Sequence, residues 1–493
     1  CVNTGGVTAA GAGLTNYTTR ADGAMDSGVV DLGYHFANGI LGSPVGELYV
    51  ASSGADTNSG TNWPSAFRSI TKALSVAEHG THVNIANGLY DSACEAFPLT
   101  IIGRFGLELL GTNAAATVIK PAASQRAFYI SGVGSVRIQG VTLTGGSYSG
   151  YNMDGLGAGI INSRLTIASC TISSNALYSG LGKAGGIWAK DSFLTMTDST
   201  LARNTINYSG FRPSLWMGYG GGMCVEGGEL VLRNSLVNAN FAAAGTQGPA
   251  SMAAGGGIAL VGNYGGNRHV ISNCTFVSTS IACLNNSRGA ALYIASTALV
   301  VNCVFATNWI VDGSKFGAGV FVGYDSYVVP PAGDIGIVGT DSASLINCTI
   351  VGNSPEGVRP NTNNGVLAIR SSILWNNGDD IASSNISDTL SNVWYSDIED
   401  GDNNGTNGCI SLEPLFANPT NDWHVRSHGG RWTAGDIWVN DPDSSPCIDG
   451  GDPAADFSRE PKPNGRRVNM GAYGNTAQAS KWPGMLGTLF IAR

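Results

Sequence analysis

Apolar and polar positions alternate along this chain in one recurring phrase: apolar-x-apolar-x-(Asn/Ser)-(Cys/Ser)-(Thr/x)-apolar. It reads Leu165-Thr166-Ile167-Ala168-Ser169-Cys170-Thr171-Ile172, and returns from Leu194 to Leu201 around Ser199 and from Leu230 to Leu236 around Ser235. Further copies hold Cys274, Cys303, Cys348, Ser372 and Ser396 at the same place, 24 to 45 residues apart. Most copies are preceded by a glycine cluster and a short apolar run, as in Gly185-Gly186-Ile187-Trp188 and Gly255-Gly256-Gly257-Ile258. Period-two alternation predicts strands of a few residues with one face inward. The shortest interval fits one coil of three such strands, and the longer intervals add loops to the same coil.

These features predict an all-β fold: a single-stranded right-handed parallel β-helix, a pectate-lyase-like solenoid. Repeats of this length stack so that each coil buries its apolar face on its neighbours, and parallel crossovers are right-handed in nearly all cases. A β-propeller would need hairpin turns and antiparallel pairing, which the pattern lacks. Glycine supplies turns with positive φ. The asparagines that follow most copies (Asn175, Asn204, Asn238, Asn308, Asn353 and Asn376) predict amide side chains stacked from coil to coil. Helical spacing is clear only over Ser69-Ile70-Thr71-Lys72-Ala73-Leu74-Ser75-Val76-Ala77, where a short amphipathic helix would cap the open N-terminal end of the solenoid.

Composition narrows the partners. Of 493 residues, 70 are Gly, 18 are Pro and 12% are charged, which excludes collagen and leaves Asn, Ser and Thr as the polar surface. A net charge of −9 without a basic patch excludes nucleic acid. No apolar run is long enough for a membrane span, and no signal peptide is visible. The ten cysteines show no zinc-ligand spacing; the recurrence of several of them at one repeat position predicts packing of a small side chain.

The two ends carry a family resemblance. Tyr49-Val50-Ala51-Ser52-Ser53-Gly54-Ala55-Asp56-Thr57-Asn58-Ser59-Gly60-Thr61, the Lys72-Ala73-Leu74 helix and Phe97-Pro98-Leu99-Thr100-Ile101 resemble the N-terminal block of secreted bacterial β-helix repeat proteins of the DUF1565 type. At the other end, Ser445-Pro446-Cys447-Ile448-Asp449-Gly450-Gly451-Asp452-Pro453 and Val468-Asn469-Met470-Gly471-Ala472-Tyr473-Gly474 resemble the block that closes the last coil in such proteins. The resemblance implies a fold and an exported location, with no single activity. Cys1-Val2-Asn3-Thr4-Gly5-Gly6 with Val30-Asp31-Leu32-Gly33-Tyr34 repeats that closing block, so the chain is expected to be a trimmed piece of something longer. The expected organisation is an extension over 1–46, a cap and first coil over 47–111, the solenoid over 112–405 and the closing block over 406–493.

Candidate chemistry is sparse. A glycosidase needs two facing carboxylates; a lyase needs carboxylates with a basic residue. The solenoid charges, among them Asp154, Lys183, Lys190, Asp191, Asp198, Arg203, Glu226, Glu229, Arg233 and Arg268, form no acidic row in register. Asp191 and Glu226 to Glu229 are placed by the repeat on neighbouring coils. Asp397, Glu399, Asp400 and Asp402 are the densest acidic cluster, with the hard oxygen ligands that Ca²⁺ takes but without a full calcium loop; Asp56 to Ser59 is a weaker case. No cofactor is required. His79, His82, His424 and His428 lack a nucleophile partner and read as structural. Trp188, Trp216, Trp309, Trp375, Tyr178, Tyr208 and Tyr219 form either a sugar-stacking platform or a cover on the solenoid flank. Cys409 and Cys447 are candidates for a disulfide across the closing block, with Cys1 pairing between chains.

The reading that follows is a non-catalytic extracellular or cell-surface structural module, self-associating or meeting neighbouring modules through residues 1–46. The alternatives are a secreted polysaccharide lyase or glycoside hydrolase and a carbohydrate-binding adhesin.

Overall fold

The computed structural model describes residues 46–484, except 151–153, 180–182, 208–216, 245–250, 263–267, 284–285, 324–340, 362–364 and 384, and before them only Thr8, Tyr17–Thr18 and Phe36–Ala37. Cys1 and nearly all of the repeated closing motif in 1–46 lie outside the described residues. The chain is a right-handed parallel β-helix. Among the described residues, its strands form stacks of 19, 11, six and four members in which every pairing is parallel. Ala158 lies against Ile187, Ile187 against Met223, Met223 against Ile258, and Ile258 against Leu292. Identical strand positions thus superimpose coil on coil, and the inward residues form one continuous core from Val50 to Cys409.

Two polar columns run through this core. Asn175 Nδ2 donates to Asn204 Oδ1 at 2.9 Å, and Asn204 Nδ2 to Asn240 Oδ1 at 3.0 Å. After Thr279, whose hydroxyl donates to Asn308 Oδ1 at 2.7 Å, the ladder resumes from Asn308 to Asn353 at 2.8 Å and from Asn353 to Asn377 at 2.9 Å. The sequence placed two rungs at Asn238 and Asn376; the rungs are Asn240 and Asn377. The reason is the corner. Ala239 and Asn376 themselves adopt left-handed backbone, with φ of 52° and 54°, and the inward rung is the residue that follows. The second column is the Cys/Ser position. Ser199 donates to Thr197 O at 2.7 Å and accepts from Cys170 N at 3.0 Å. Cys274 and Cys303 make the equivalent thiol bonds to Ser272 O and Val301 O. Cysteine and serine interchange there because both are small and can donate to the carbonyl two residues back.

Single left-handed residues also turn the chain just before that column: Ser169, Asp198, Asn234, Asn273, Asn302 and Asn347 have φ between 49° and 53°. Asn, Asp and Ser bond locally through a short side chain, and Asn and Asp are the L residues that visit this region routinely.

Helix α1, Ile70–Val76, covers the N-terminal end as expected. Ser69 accepts from Lys72 N, and the buried Glu95 carboxylate accepts from Ile70 N at 2.7 Å and Thr71 N at 2.8 Å, next to the positive end of the helix. Ile70 and Ala73 face the first coils. At the other end only the segment around Cys409 closes the last coil. The rest of the expected closing block folds back along the flank. Asn302 Nδ2 donates to Ala472 O and Gly474 O, Asn347 Nδ2 to Asn469 O at 2.8 Å, and Phe416, Trp423 and Met470 cover Val304, Val351 and Ile373. Gly471 has φ of 89° there, and a Cβ on it would stand 2.8 Å from Ile373.

The ladder predicts an asymmetric mutational response. Asn204→Ala leaves the buried amides of Asn175 and Asn240 without one partner each and is expected to lower stability by about 2–4 kcal/mol. Asn238→Ala, on a half-buried strand position, should change it by less than about 0.5 kcal/mol. Urea unfolding followed by circular dichroism measures both, and equal effects would show that the column does not carry the stack.

Candidate functional site

The densest arrangement of opposite charges on the solenoid sits where the outward face of the Ile187–Thr197 strand meets that of Met223–Arg233. Lys190 lies in register with Glu226. Lys183 Nζ is 2.7 Å from Glu226 Oε2, Lys190 Nζ is 3.3 Å from Oε1, and Trp188 Nε1 donates to Oε2 at 3.3 Å. The Glu226 side chain is only 5% exposed. Burial works to raise its pKa, yet Lys183, through charge and hydrogen bond, together with Lys190 and Trp188, holds the carboxyl below its ordinary value. Burial works to lower Lys183, and Glu226 more than reverses it, so the ammonium is held above its usual range. Asp154 accepts the Lys183 backbone N–H; burial raises its carboxyl despite that bond and the nearby charges of Lys183 and Arg126. Arg126 reaches over Gly159, where a Cβ would stand 2.2 Å from its guanidinium.

Asp191 does lie on the coil next to Glu226 to Glu229, between the Lys190–Glu226 and Ser192–Gly228 pairs, but it occupies a left-handed corner with φ of 48° and is exposed. Asp198 and Arg203 are corners too, and Arg233 and Arg268 are exposed. Glu229 lies in register with Phe193, away from the lysines. Of the described candidate aromatics, Trp188 packs on the cluster that holds Tyr219, and the others lie apart. Tyr178 and Trp309 are exposed on separate strands of the six-stranded stack, and Trp375 packs under the folded-back block. Tyr208 and Trp216 lie outside the described residues. Tyr219 joins an outer apolar layer with Tyr293 and Phe321, which the repeat pattern had not revealed. Its signal in the sequence was the second apolar residue of strands such as Leu292–Ala295, buried on both faces.

The described histidines make local contacts. His79 Nδ1 accepts from Phe105 N at 3.1 Å, His82 sits between Glu47 and Glu108, and His424 bonds Asp422 and stacks on Tyr473. The N–H of His428 is taken by Ser444 Oγ at 2.9 Å. His269, fully buried, accepts from Leu230 N at 3.0 Å, and burial lowers its pKa to about 4. Asp56 accepts from Arg68 N, Ser69 N and Ser69 Oγ, fastening the chain ahead of α1.

Two expectations are corrected at the C-terminal end. Asp397, Glu399, Asp400 and Asp402 do not gather their oxygens at one point. Asp397 is buried and accepts from Leu412 N and Cys447 Sγ at 3.0 Å each, Glu399 accepts from Asn376 N, and Asp400 accepts from Asp380 N at 3.1 Å. Their alternation along strand and turn sends neighbouring side chains in different directions, and among the described residues no group of three or more His, Cys, Asp or Glu is placed to hold a metal ion. Cys409 and Cys447 are separate free thiols rather than a disulfide. Cys447 points at Asp397, while Cys409 points at Val393 O on the end of the core.

Burial raises Asp380, Asp397 and Asp402 each to about 6 from 3.8. A carboxyl that is harder to ionise folded than unfolded contributes stability below about pH 4 that is lost as pH rises through about 6. Asp397→Asn removes one such group, so its melting temperature should fall less than the parent's between about pH 4 and pH 7. Parallel melting curves for both proteins would contradict this.

The sequence profile of the family described as "Protein of unknown function (DUF1565)" matches residues 52–235. Among solved structures, the chain is similar to pectate lyase Pel9A, with 13% identity and a TM-score of 0.48 over 87% of this chain and 97% of that one. It is similar to pectin methylesterase PemA from Erwinia chrysanthemi, with 10% identity and a TM-score of 0.26 over 59% and 92%. It is also similar to the catalytic domain of a GH87 alpha-1,3-glucanase, with 13% identity and a TM-score of 0.30 over 79% and 72%. A search of curated proteins finds no match. Among the described residues no helix is long and apolar enough to cross a membrane.

Proposed function

We propose that this chain is a non-catalytic structural module of an extracellular or cell-surface assembly, joined to further copies or neighbouring modules through residues 1–46. The observation that carries the absence of catalysis is the occupancy of Glu226. Both of its oxygens are held, by Lys183 and Trp188 on one side and by Lys190 on the other. Cleavage of a polysaccharide by elimination calls for a base that sheds its proton near neutrality, and Lys183 is held charged. Hydrolysis calls for two carboxyl groups free to face a sugar, and both Glu226 oxygens are already engaged. The duplicated closing motif in 1–36 supports the assembly part of the reading: on the solenoid such a block lies along the flank and is held by asparagine side chains.

One observation favours a second reading. Asp154 and Glu226 are electrostatic neighbours whose carboxyl groups are driven in opposite directions, Asp154 up and Glu226 down. Such a split separates a proton donor from an ionised partner in carbohydrate-cleaving enzymes. In that case the polymer would displace Lys190 from Glu226 on binding.

Incubation with polygalacturonate, alginate and neutral glucans decides between them. The expected result is neither ultraviolet absorbance from unsaturated uronates nor new reducing ends. Product formation that disappears in Glu226→Gln would overturn the structural reading. The assembly part predicts that light scattering finds particles larger than one chain, and that deletion of residues 1–46 returns them to monomer size. A monomer at high concentration before deletion would contradict it.

A further inference from the structure

The flank carries a third polar column besides the two inside the core. It consists of the left-handed corner residues themselves. Asn234 Nδ2 donates to Asp198 Oδ1 at 3.1 Å, and Asn273 Nδ2 donates to Asn234 Oδ1 at 3.3 Å. In the next two coils the column changes role: Asn302 and Asn347 turn their amides onto carbonyls of the folded-back block. Where the block ends, a cleft of about 1190 Å³ opens between it and the solenoid. Asn234, Asn273 and Asn302 line one wall, and Arg459, Tyr473 and Gln478 line the other.

The chemistry of this cleft is specific. Each amide carries two donor hydrogens and an oxygen with two lone pairs. One donor hydrogen each on Asn234 and Asn273 is engaged along the column, and each amide has a second to offer. Asn234 and Asn273 are exposed. No carboxylate is among the lining residues, and Arg459 is their only cation. Hydroxyl groups are the natural complement of such a wall, since each both donates and accepts. Successive rungs stand about 4.8 Å apart, the separation of neighbouring strands, which is comparable with one pyranose unit of an extended chain. An anionic polymer would meet one positive charge and then Asp198 at the end of the column.

We infer that this cleft, with its corner amides Asn234 and Asn273 facing Gln478 and Tyr473, is a binding site for an extended uncharged polysaccharide. It lies on a different face from the Glu226 cluster and needs no catalytic group. Its failure therefore leaves the structural reading untouched, and product formation from a polymer would leave the cleft's role untouched.

Affinity electrophoresis of the whole chain tests it, in native gels cast with hydroxyethylcellulose, glucomannan or dextran, and with alginate or polygalacturonate as anionic counterparts. The triple variant Asn234→Gly, Asn273→Gly, Gln478→Ala removes the amides, and glycine keeps the left-handed corners accessible. Unchanged circular dichroism would verify that the coils persist. The expected result is retardation by at least one neutral polymer, with an apparent affinity at least about tenfold weaker in the variant, as the loss of a few hydrogen bonds implies. No retardation by any neutral polymer, equal retardation of parent and variant, or stronger retardation in the anionic gels would each overturn the proposal.

Discussion

In a parallel solenoid, a buried polar side chain finds its partner on the chain behind it in the coil or on the next coil. That constraint organises this molecule. An amide or hydroxyl placed inside at one coil demands an acceptor or donor of matching reach a full turn away, whether that turn takes 24 residues, as from Asn353 to Asn377, or 45, as from Asn308 to Asn353. Loops can lengthen freely so long as the rung returns to register. The leaving of one buried group unpaired costs more than a typical hydrogen bond contributes, so the columns fix register more strictly than the apolar core does, since a Leu will accept a Val or Ile beside it.

The same logic explains what was legible in the sequence. Strands, repeat, fold and the α1 lid follow from alternation and from the short Cys/Ser phrase, because those features are local and repeat in phase. Asn240 was misplaced by two residues since Asn238, on the strand, is also an asparagine, and only the backbone angle of Ala239 tells them apart. The outer layer of Tyr219, Tyr293 and Phe321 forms where the outward face of strands such as Leu292–Ala295 and Val320–Val322 is covered by further strands, and its trace in the sequence is an apolar residue at a position where alternation calls for a polar one. The acidic run from Asp397 to Asp402 is close in sequence, but each carboxylate is drawn to its own donor, Asp397 to Leu412 N and Cys447, Glu399 to Asn376 N and Asp400 to Asp380 N, which proximity along the chain does not reveal.

Charge follows the pattern of the amides. With so few ionised residues, several of the buried ones have a dedicated partner: Glu95 for the helix end, Glu226 for two lysines, Glu356 for Arg359 and the N–H of Gly317. A buried ion pair of this kind adds little net stability relative to apolar packing, and loss of one partner is expensive. Its contribution here is to pin adjacent coils where glycine-rich turns give few side-chain contacts.

The tie between Asn302 and Gly474 has a mechanical meaning. It joins residues 172 apart in sequence, so the last coils form a closed loop fastened at its base by side-chain bonds and an apolar seam. Tension applied along the chain passes across that fastening first and reaches the enclosed coils only after it gives way. Among the described residues, the coils ahead of Asn302 have no such tie and carry the load in series. Under such a load the coils ahead of Asn302 would stretch before the clasped ones do.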